Sequence, residues 1–170
     1  MHDSNDNPSS ANRFSAKDRG LTINLPDEQS TSSFAARLAS AISPGLVIYL
    51  RGDLGAGKTT LVRAVLTKLG YNGRVKSPTY TLLEQYDVAG EQFRHFDLYR
   101  FRDATEWEAA GFNEEFNGKN ICLLEWPEKA AGLIPPADLE INFEILPDGR
   151  NITLYAQSDT GTACLNSLQK

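Results

Sequence analysis

Cysteine and histidine are scarce in this chain of 170 residues, which contains 2 of each. Small disulfide-stapled folds need a denser cysteine framework, and these four side chains show no recognisable zinc-ligand spacing. Cys122 lies inside an apolar strand pattern, whereas Cys164 lies in a polar C-terminal segment. This cysteine usage predicts a reduced, cytoplasmic protein.

Long apolar runs and an excess of positive charge are lacking as well. No run approaches the roughly 20 apolar residues of a membrane-spanning helix, and the N-terminus lacks the apolar core of a secretory signal. Lys and Arg total 17 against 22 Asp and Glu, which gives a net charge of −5. This balance argues against a protein that grips nucleic acid through a large basic face, but not against a part in nucleic-acid metabolism through partners.

The most informative feature that is present spans residues 52–59, which read Gly-Asp-Leu-Gly-Ala-Gly-Lys-Thr. This is the phosphate-binding P-loop pattern G-x-x-x-x-G-K-[ST]. An apolar strand pattern at 46–50 precedes it, and a helical pattern at 60–69 follows it. A chance match in a chain of this length is on the order of one per cent at average residue usage. We therefore predict nucleotide binding in an α/β, single-domain P-loop NTPase fold.

The P-loop residues have separate predicted roles. Backbone N–H groups of the glycine-rich loop and the helix N-terminus bind the phosphates of ATP. Lys58 reaches the β and γ phosphates, and the Thr59 hydroxyl binds Mg²⁺. The predicted ATP-contacting residues of this segment are Asp53, Leu54, Gly55, Ala56, Gly57, Lys58, Thr59 and Thr60.

Two acidic residues are candidates for the remaining chemistry. The apolar strand at 121–125 ends in Glu125, which fits the Walker B position that binds Mg²⁺; the alternative is a solvated strand-terminal glutamate. In the segment 95–100, strand alternation places His95, Asp97 and Tyr99 on one face. Asp97 is the candidate that orders the attacking water, whereas a structural hydrogen-bond network is the alternative, above all for His95 and Tyr99.

The rest of the sequence predicts one folded domain with a disordered or flexible segment at each end. Residues 1–20 are rich in Ser, Asn and Asp and are predicted to be a disordered leader. Residues 21–157 form the predicted P-loop ATPase domain, in which 79–86 and 92–99 are two strands of a hairpin. The polar segment 158–170 is predicted to be a flexible tail. Hydroxyls between 76 and 81 either contact the nucleotide or belong to a polar turn, and Trp126 either packs or shapes the site.

Four motifs occur in a specific order: 52–60, Ser-Pro-Thr-Tyr-Thr-Leu at 77–82, His-Phe-Asp-Leu-Tyr-Arg at 95–100 and Leu-Glu-Trp-Pro at 124–127. Together they resemble the bacterial TsaE (YjeE) family, the small ATPase of tRNA threonylcarbamoyladenosine biosynthesis. The resemblance covers about residues 21–155 and implies a mixed β-sheet flanked by helices.

The resemblance also implies a function. Members bind ATP and Mg²⁺ and act with the threonylcarbamoyltransferase TsaD and its partner TsaB, which modify adenosine 37 of tRNA (t6A37). Their ATPase is weak alone and is stimulated by these proteins, and tRNA is met through the complex. By position, Lys58, Asp97 and Glu125 would be catalytic, and Thr59 and Glu125 would bind the metal. The base would lie near Glu28 and Arg150.

Three other functions fit parts of the sequence. A signalling-type GTPase is disfavoured because the only D-x-x-G element, at 87–90, lies in a predicted hairpin turn and no N-K-x-D motif is present. A small-molecule kinase is disfavoured because Arg150 is the only arginine after Arg102, where such enzymes carry lid arginines. A nucleotide-dependent docking module, in which hydrolysis is incidental, remains open.

Overall fold

Seven strands form one mixed β-sheet with helices on both faces in the computed structural model, which describes residues 20–170. The strands are β1 (Leu21–Leu25), β2 (Val47–Arg51), β3 (Leu83–Val88), β4 (Glu91–Asp97), β5 (Ile121–Glu125), β6 (Leu139–Ile145) and β7 (Arg150–Ala156). The α-helices are α1 (Glu28–Ala41), α2 (Lys58–Lys68), α3 (Ala104–Ala110) and α4 (Asp159–Leu168). Short 3₁₀ turns span Phe112–Glu115 and Pro127–Ala130.

The sheet has the strand order β1-β7-β6-β2-β5-β4-β3. Strand β5 runs parallel to β2 on one side and to β4 on the other, and β2 also runs parallel to β6. The outer pairs β1–β7, β6–β7 and β3–β4 are antiparallel. The predicted α/β fold with a mixed sheet is therefore confirmed.

The central strands are buried on both faces, which explains why their sequences are continuously apolar rather than alternating. In β2, Ile48 and Leu50 belong to the hydrophobic core beneath α1, α2 and α4. Val47 and Tyr49 belong to a second core on the opposite face, where Trp107 of α3 is also buried. The sheet thus separates two cores, one on each of its faces.

Several local features follow the predicted chemistry. The Asp27 carboxylate accepts a hydrogen bond from the Ser30 amide and caps α1, and Asp103 caps α3 in the same way. The predicted hairpin exists, but its strands are shorter than 79–86 and 92–99. They are joined by Ala89 and Gly90, whose φ angles of 55° and 77° suit a tight two-residue hairpin turn.

The prediction of a flexible tail at 158–170 is wrong, because residues 159–168 form helix α4. Ser158 caps this helix by accepting a hydrogen bond from the Gly161 amide, and Cys164 and Leu168 are buried in the first core. The exposed Asn166 and Ser167 lie between these two and obscured their spacing of four residues, although Leu165 is partly buried against the same core. The leader predicted for residues 1–20 lies outside the described residues except for Gly20. None of the helices within 20–170 is long and apolar enough to cross a membrane.

Because α4 contributes to the core, shortening one of its buried side chains should lower the stability of the fold. Leu168 is 1% exposed, and we expect Leu168→Ala to lower the free energy of unfolding by about 2–3 kcal/mol, since burial is lost and a cavity remains. Urea unfolding followed by circular dichroism measures this change. The exposed Asn166→Ala on the same helix is the control and should change it by less than about 0.5 kcal/mol. Equal unfolding curves for the two variants would contradict the packing of α4.

Candidate functional site

The P-loop connects the end of β2 to the start of α2, as the sequence predicts. Gly55 and Gly57 have φ angles of 79° and 106°, which favour glycine because a Cβ atom is strained there. A Cβ atom at Gly57 would also collide with the guanidinium of Arg150. That guanidinium donates a hydrogen bond of 2.8 Å from Nη1 to the Ala56 carbonyl. The hairpin of β6 and β7, which contains Arg150, therefore contacts and stabilises the P-loop.

A cleft of about 250 Å³ lies above this loop and collects most of the predicted residues. It is lined by residues 54–60 together with Ser77, Thr79, Asp97, Glu125, Trp126 and Arg150. Two predicted ATP contacts are not part of the lining: Asp53 lies in the loop just before it, and Glu28 lies at the exposed start of α1. Roles for these two residues in binding the nucleotide remain predictions.

The two acidic candidates are neighbours because their strands pair. Strand β4 runs parallel to β5 with Asp97 opposite Glu125, and β5 in turn runs beside β2, which leads into the P-loop. The Thr59 hydroxyl lies 2.8 Å from Oε2 and 3.1 Å from Oε1 of Glu125. Thus the sheet brings the P-loop and both carboxylates to one edge, where parallel strands end.

The Asp97 carboxylate accepts two hydrogen bonds from residues on the same side of the cleft. Its Oδ1 accepts a hydrogen bond of 3.1 Å from the Tyr99 amide, and its Oδ2 accepts one of 3.3 Å from the Thr79 hydroxyl. Ser77 lies next along this chain of hydroxyls, with its Oγ 2.8 Å from Thr79 Oγ1. Part of the segment 76–81 therefore lines the cleft, as one of its two predicted roles requires.

Burial shifts the proton affinity of two side chains in the cleft. The pKa of Lys58 is lowered by burial, although the carboxylates of Glu125 and Asp97 act in the opposite direction. The pKa of Asp97 is raised, first by burial and further by the negative charge of Glu125. Like charges and low hydration at one point are typical of a site that awaits a cation or performs chemistry.

Two contacts of the cleft were not predicted from the sequence. The Lys58 ammonium lies 3.7 Å from the centroid of the Trp126 ring and also donates to the Gly52 carbonyl. A φ of 59° at Trp126 turns this residue out of the strand direction at the end of β5. The second contact joins His95 Nε2 to Glu125 Oε2 at 2.6 Å. The sequence shows that Trp126 directly follows Glu125 and that His95 shares a strand face with Asp97. It does not show that Trp126 contacts Lys58 or that His95 contacts Glu125.

The donor set is compatible with Mg²⁺ bound together with a nucleotide. A hydroxyl from Thr59 and a carboxylate from Glu125 are hard oxygen ligands, which suit this ion. Within 20–170 there is no group of three or more His, Cys, Asp or Glu side chains that would hold a metal alone. A Mg²⁺ ion here would need phosphate oxygens and water to complete its octahedron, as is usual for nucleotide sites.

Comparison with known families and proteins agrees with this geometry. Residues 25–152 match the family profile "Threonylcarbamoyl adenosine biosynthesis protein TsaE". The chain belongs to the TsaE family. The Haemophilus influenzae protein named "tRNA threonylcarbamoyladenosine biosynthesis protein TsaE" is 47% identical over 146 residues, covering 83% of the chain and 92% of the relative. The Bacillus subtilis protein of the same name is 38% identical over 136 residues, covering 79% and 83%.

A solved structure supports the same assignment. The crystal structure of Bacillus subtilis YdiB matches with a TM-score of 0.76 at 28% sequence identity, over 89% of the chain and 95% of YdiB. The resemblance that the four motifs predicted is therefore confirmed. Membership of the TsaE family supports a role in tRNA threonylcarbamoyladenosine biosynthesis.

The raised pKa of Asp97 makes stability depend on pH. A carboxyl whose pKa is higher in the folded state stabilises the fold while it is protonated, and this contribution is lost as the pH rises through the folded-state pKa. In this TsaE-family chain we therefore expect Asp97→Asn to raise the melting temperature at pH 7.5. The gain should shrink as the pH falls toward 3.8, the ordinary value for aspartate.

Thermal unfolding of wild type and Asp97→Asn across this pH range measures the effect. Asp87→Asn, which changes an exposed carboxyl of β3, is the matched control and should show no comparable gain. A lower melting temperature for Asp97→Asn at every pH would show that the hydrogen bonds of the carboxylate outweigh the cost of burying its charge.

Proposed function

We propose that this chain is the ATP-binding, ATP-hydrolysing subunit that serves t6A37 modification of tRNA in the cytoplasm, acting with the threonylcarbamoyltransferase TsaD and its partner TsaB. One observation carries the proposal: a P-loop, a buried lysine and two carboxylates meet in one cleft, in a chain of the TsaE family. ATP and Mg²⁺ are the ligands that this combination fits best.

Each residue has a part in the proposed reaction. Gly55, Gly57 and the first amides of α2 bind phosphate oxygens, because the start of a helix has free N–H groups and partial positive charge. Lys58 neutralises charge on the β and γ phosphates. Thr59 and Glu125 hold Mg²⁺, which when bound neutralises charge that develops on the phosphates.

Asp97 would orient the attacking water. It is buried beside Glu125, and its raised pKa fits a group that accepts hydrogen bonds from water and takes up a proton late in the reaction. Thr79 and Ser77 keep this carboxylate in place and line the same wall of the cleft. Hydrolysis breaks the bond between the γ phosphorus and the β–γ bridging oxygen, which leaves with the electron pair as part of ADP. The water oxygen forms the new bond to phosphorus, and the water proton passes to Asp97.

The positions of the arginines near the cleft support the proposal that the chain hydrolyses ATP slowly alone and faster with its partners. Arg150 lines the cleft, but its guanidinium bonds to the Ala56 carbonyl. Arg100 lies over the ring of Tyr80, at 4.8 Å from the centroid, and does not line the cleft. Transition states of phosphoryl transfer are stabilised by an arginine that is frequently supplied by a partner protein. We infer that the TsaD–TsaB pair supplies or repositions this charge, and that tRNA is met through the complex.

Hydrolysis of ATP with and without the partner pair tests the proposal. We expect slow, Mg²⁺-dependent release of phosphate by the purified chain and a rate increase of at least about tenfold when TsaD and TsaB are added, because a repositioned cation lowers the barrier. GTP is the control nucleotide and should turn over poorly. Binding of ATP without hydrolysis in either condition would favour the docking module, and indifference to the pair would contradict the proposed partners.

Substitutions separate binding from hydrolysis. Lys58→Ala should reduce hydrolysis by about 100-fold or more and weaken ATP binding, since it removes charge from a water-poor site. Asp97→Ala and Glu125→Ala should retain ATP affinity within about tenfold but lose hydrolysis, because the phosphate-binding loop remains. The exposed Lys68→Ala at the other end of α2 is the matched control. Normal turnover by Lys58→Ala would contradict the P-loop assignment, and normal turnover by Asp97→Ala would contradict the role of that acid.

A further inference from the structure

His95 is buried in the sheet behind the cleft and touches the proposed magnesium ligand. The residue is 0% exposed, and Nε2 lies 2.6 Å from Oε2 of Glu125. The register places His95 opposite Leu123, two residues before Glu125 on the neighbouring parallel strand. His95 is not among the residues that line the cleft, so it acts on the site only through other residues.

The second ring nitrogen of His95 identifies the direction of this hydrogen bond. Nδ1 is buried and has no hydrogen-bond partner within residues 20–170. A proton on Nδ1 would be a buried donor without an acceptor, which is costly. The geometry therefore assigns an Nε2–H group that donates to the carboxylate of Glu125.

Two donors consequently hold Glu125. Oε2 accepts from His95 and, at 2.8 Å, from the Thr59 hydroxyl, whereas the contact of Oε1 with Thr59 is longer at 3.1 Å. The last torsion of a glutamate side chain has broad preferences, so the carboxylate plane is not fixed by the backbone. Since Thr59 is itself a proposed metal ligand, its hydroxyl would also serve the metal. His95 would not bind the metal, so it can donate to Glu125 both without and with Mg²⁺.

We propose that His95 is a positioning residue that orients Glu125 for Mg²⁺, an inference that rests on the proposed ATPase function. Partners behind metal ligands of this kind set the direction of the ligand and usually affect metal affinity strongly. The alternative is a histidine that fills the core. A core-filling role would affect stability but not the magnesium dependence of nucleotide binding, and this difference makes the inference testable.

Two amide substitutions distinguish these roles. The side-chain nitrogen of glutamine reaches the place of Nε2, whereas that of asparagine reaches only the place of Nδ1. With a fluorescent, non-hydrolysable ATP analogue, we expect His95→Asn to raise the Mg²⁺ concentration for half-maximal tightening of binding about 10- to 100-fold, and His95→Gln to raise it less than about threefold. Binding of the analogue in EDTA should be unchanged in both variants, because His95 does not touch the phosphate loop.

Arg94→Gln is the matched control on the same strand. Arg94 is largely buried and pairs with Glu115 at 2.6 Å, away from Glu125. Its loss should lower the melting temperature without changing the Mg²⁺ requirement. An unchanged Mg²⁺ requirement in His95→Asn, or equal losses with Mg²⁺ and with EDTA, would overturn the positioning role. If wild type binds the analogue equally well with and without Mg²⁺, the proposed metal site itself fails and the inference fails with it.

A measurement on the wild-type side chain decides the question if His95→Asn does not fold. Long-range ¹H–¹⁵N spectra identify which nitrogen of each imidazole carries the proton. The chain contains 2 histidines, so the His2→Gln variant assigns the remaining signal to His95. We expect the Nε2–H tautomer, both without ligand and with the Mg²⁺–ATP analogue. The Nδ1–H tautomer would leave Glu125 without this donor and would overturn the proposal.

Discussion

The parallel pairing of β5 with both β2 and β4 is the constraint on which the site depends. Parallel strands end at the same edge of a sheet, so the loop after β2 and the last residues of β4 and β5 must meet. This pairing brings Thr59, Asp97 and Glu125 together although they are far apart in sequence. Burial of both sheet faces stabilises these strands, because each apolar side chain packs into one of the two cores.

Several charged side chains are buried at this edge of the sheet, where β2, β4 and β5 end. Lys58, Asp97 and Glu125 are all less than a tenth exposed, and burial of charged groups is costly unless they are paired. Lys58 is accommodated by Trp126 and a loop carbonyl, and Glu125 by Thr59 and His95. Asp97 accepts hydrogen bonds from the Tyr99 amide and the Thr79 hydroxyl, yet burial and the charge of Glu125 still raise its pKa. The proposed ATP site would explain why the fold keeps buried groups that are costly to its stability.

Much of the fold and the cleft could be predicted because the relevant signals are local. The P-loop is contiguous, and an apolar strand that ends in an acid identifies Glu125 without any structure. Helix α4 was missed because the buried side chains of Cys164 and Leu168 stand among mostly polar residues, and only contact with α1, β6 and β7 shows their burial. The contact of Lys58 with Trp126 depends on a positive φ that a tryptophan rarely adopts, so no propensity could indicate it. The partner of His95 depends on strand register, which sequence alternation does not determine.

Electrostatics also gives the proposed Mg²⁺ ion a role that Lys58 alone would not fill. A triphosphate that enters this cleft meets two buried carboxylates in a chain of net charge −5. At an effective dielectric of about 20, two unit charges 4 Å apart interact with about 4 kcal/mol, so one lysine cannot offset several like-charge contacts. A divalent ion between Glu125, Thr59 and the phosphates would convert the nearest repulsion into attraction. The proposed donors to Glu125 would therefore act on the most unfavourable part of nucleotide binding, and in this way a buried histidine would affect function.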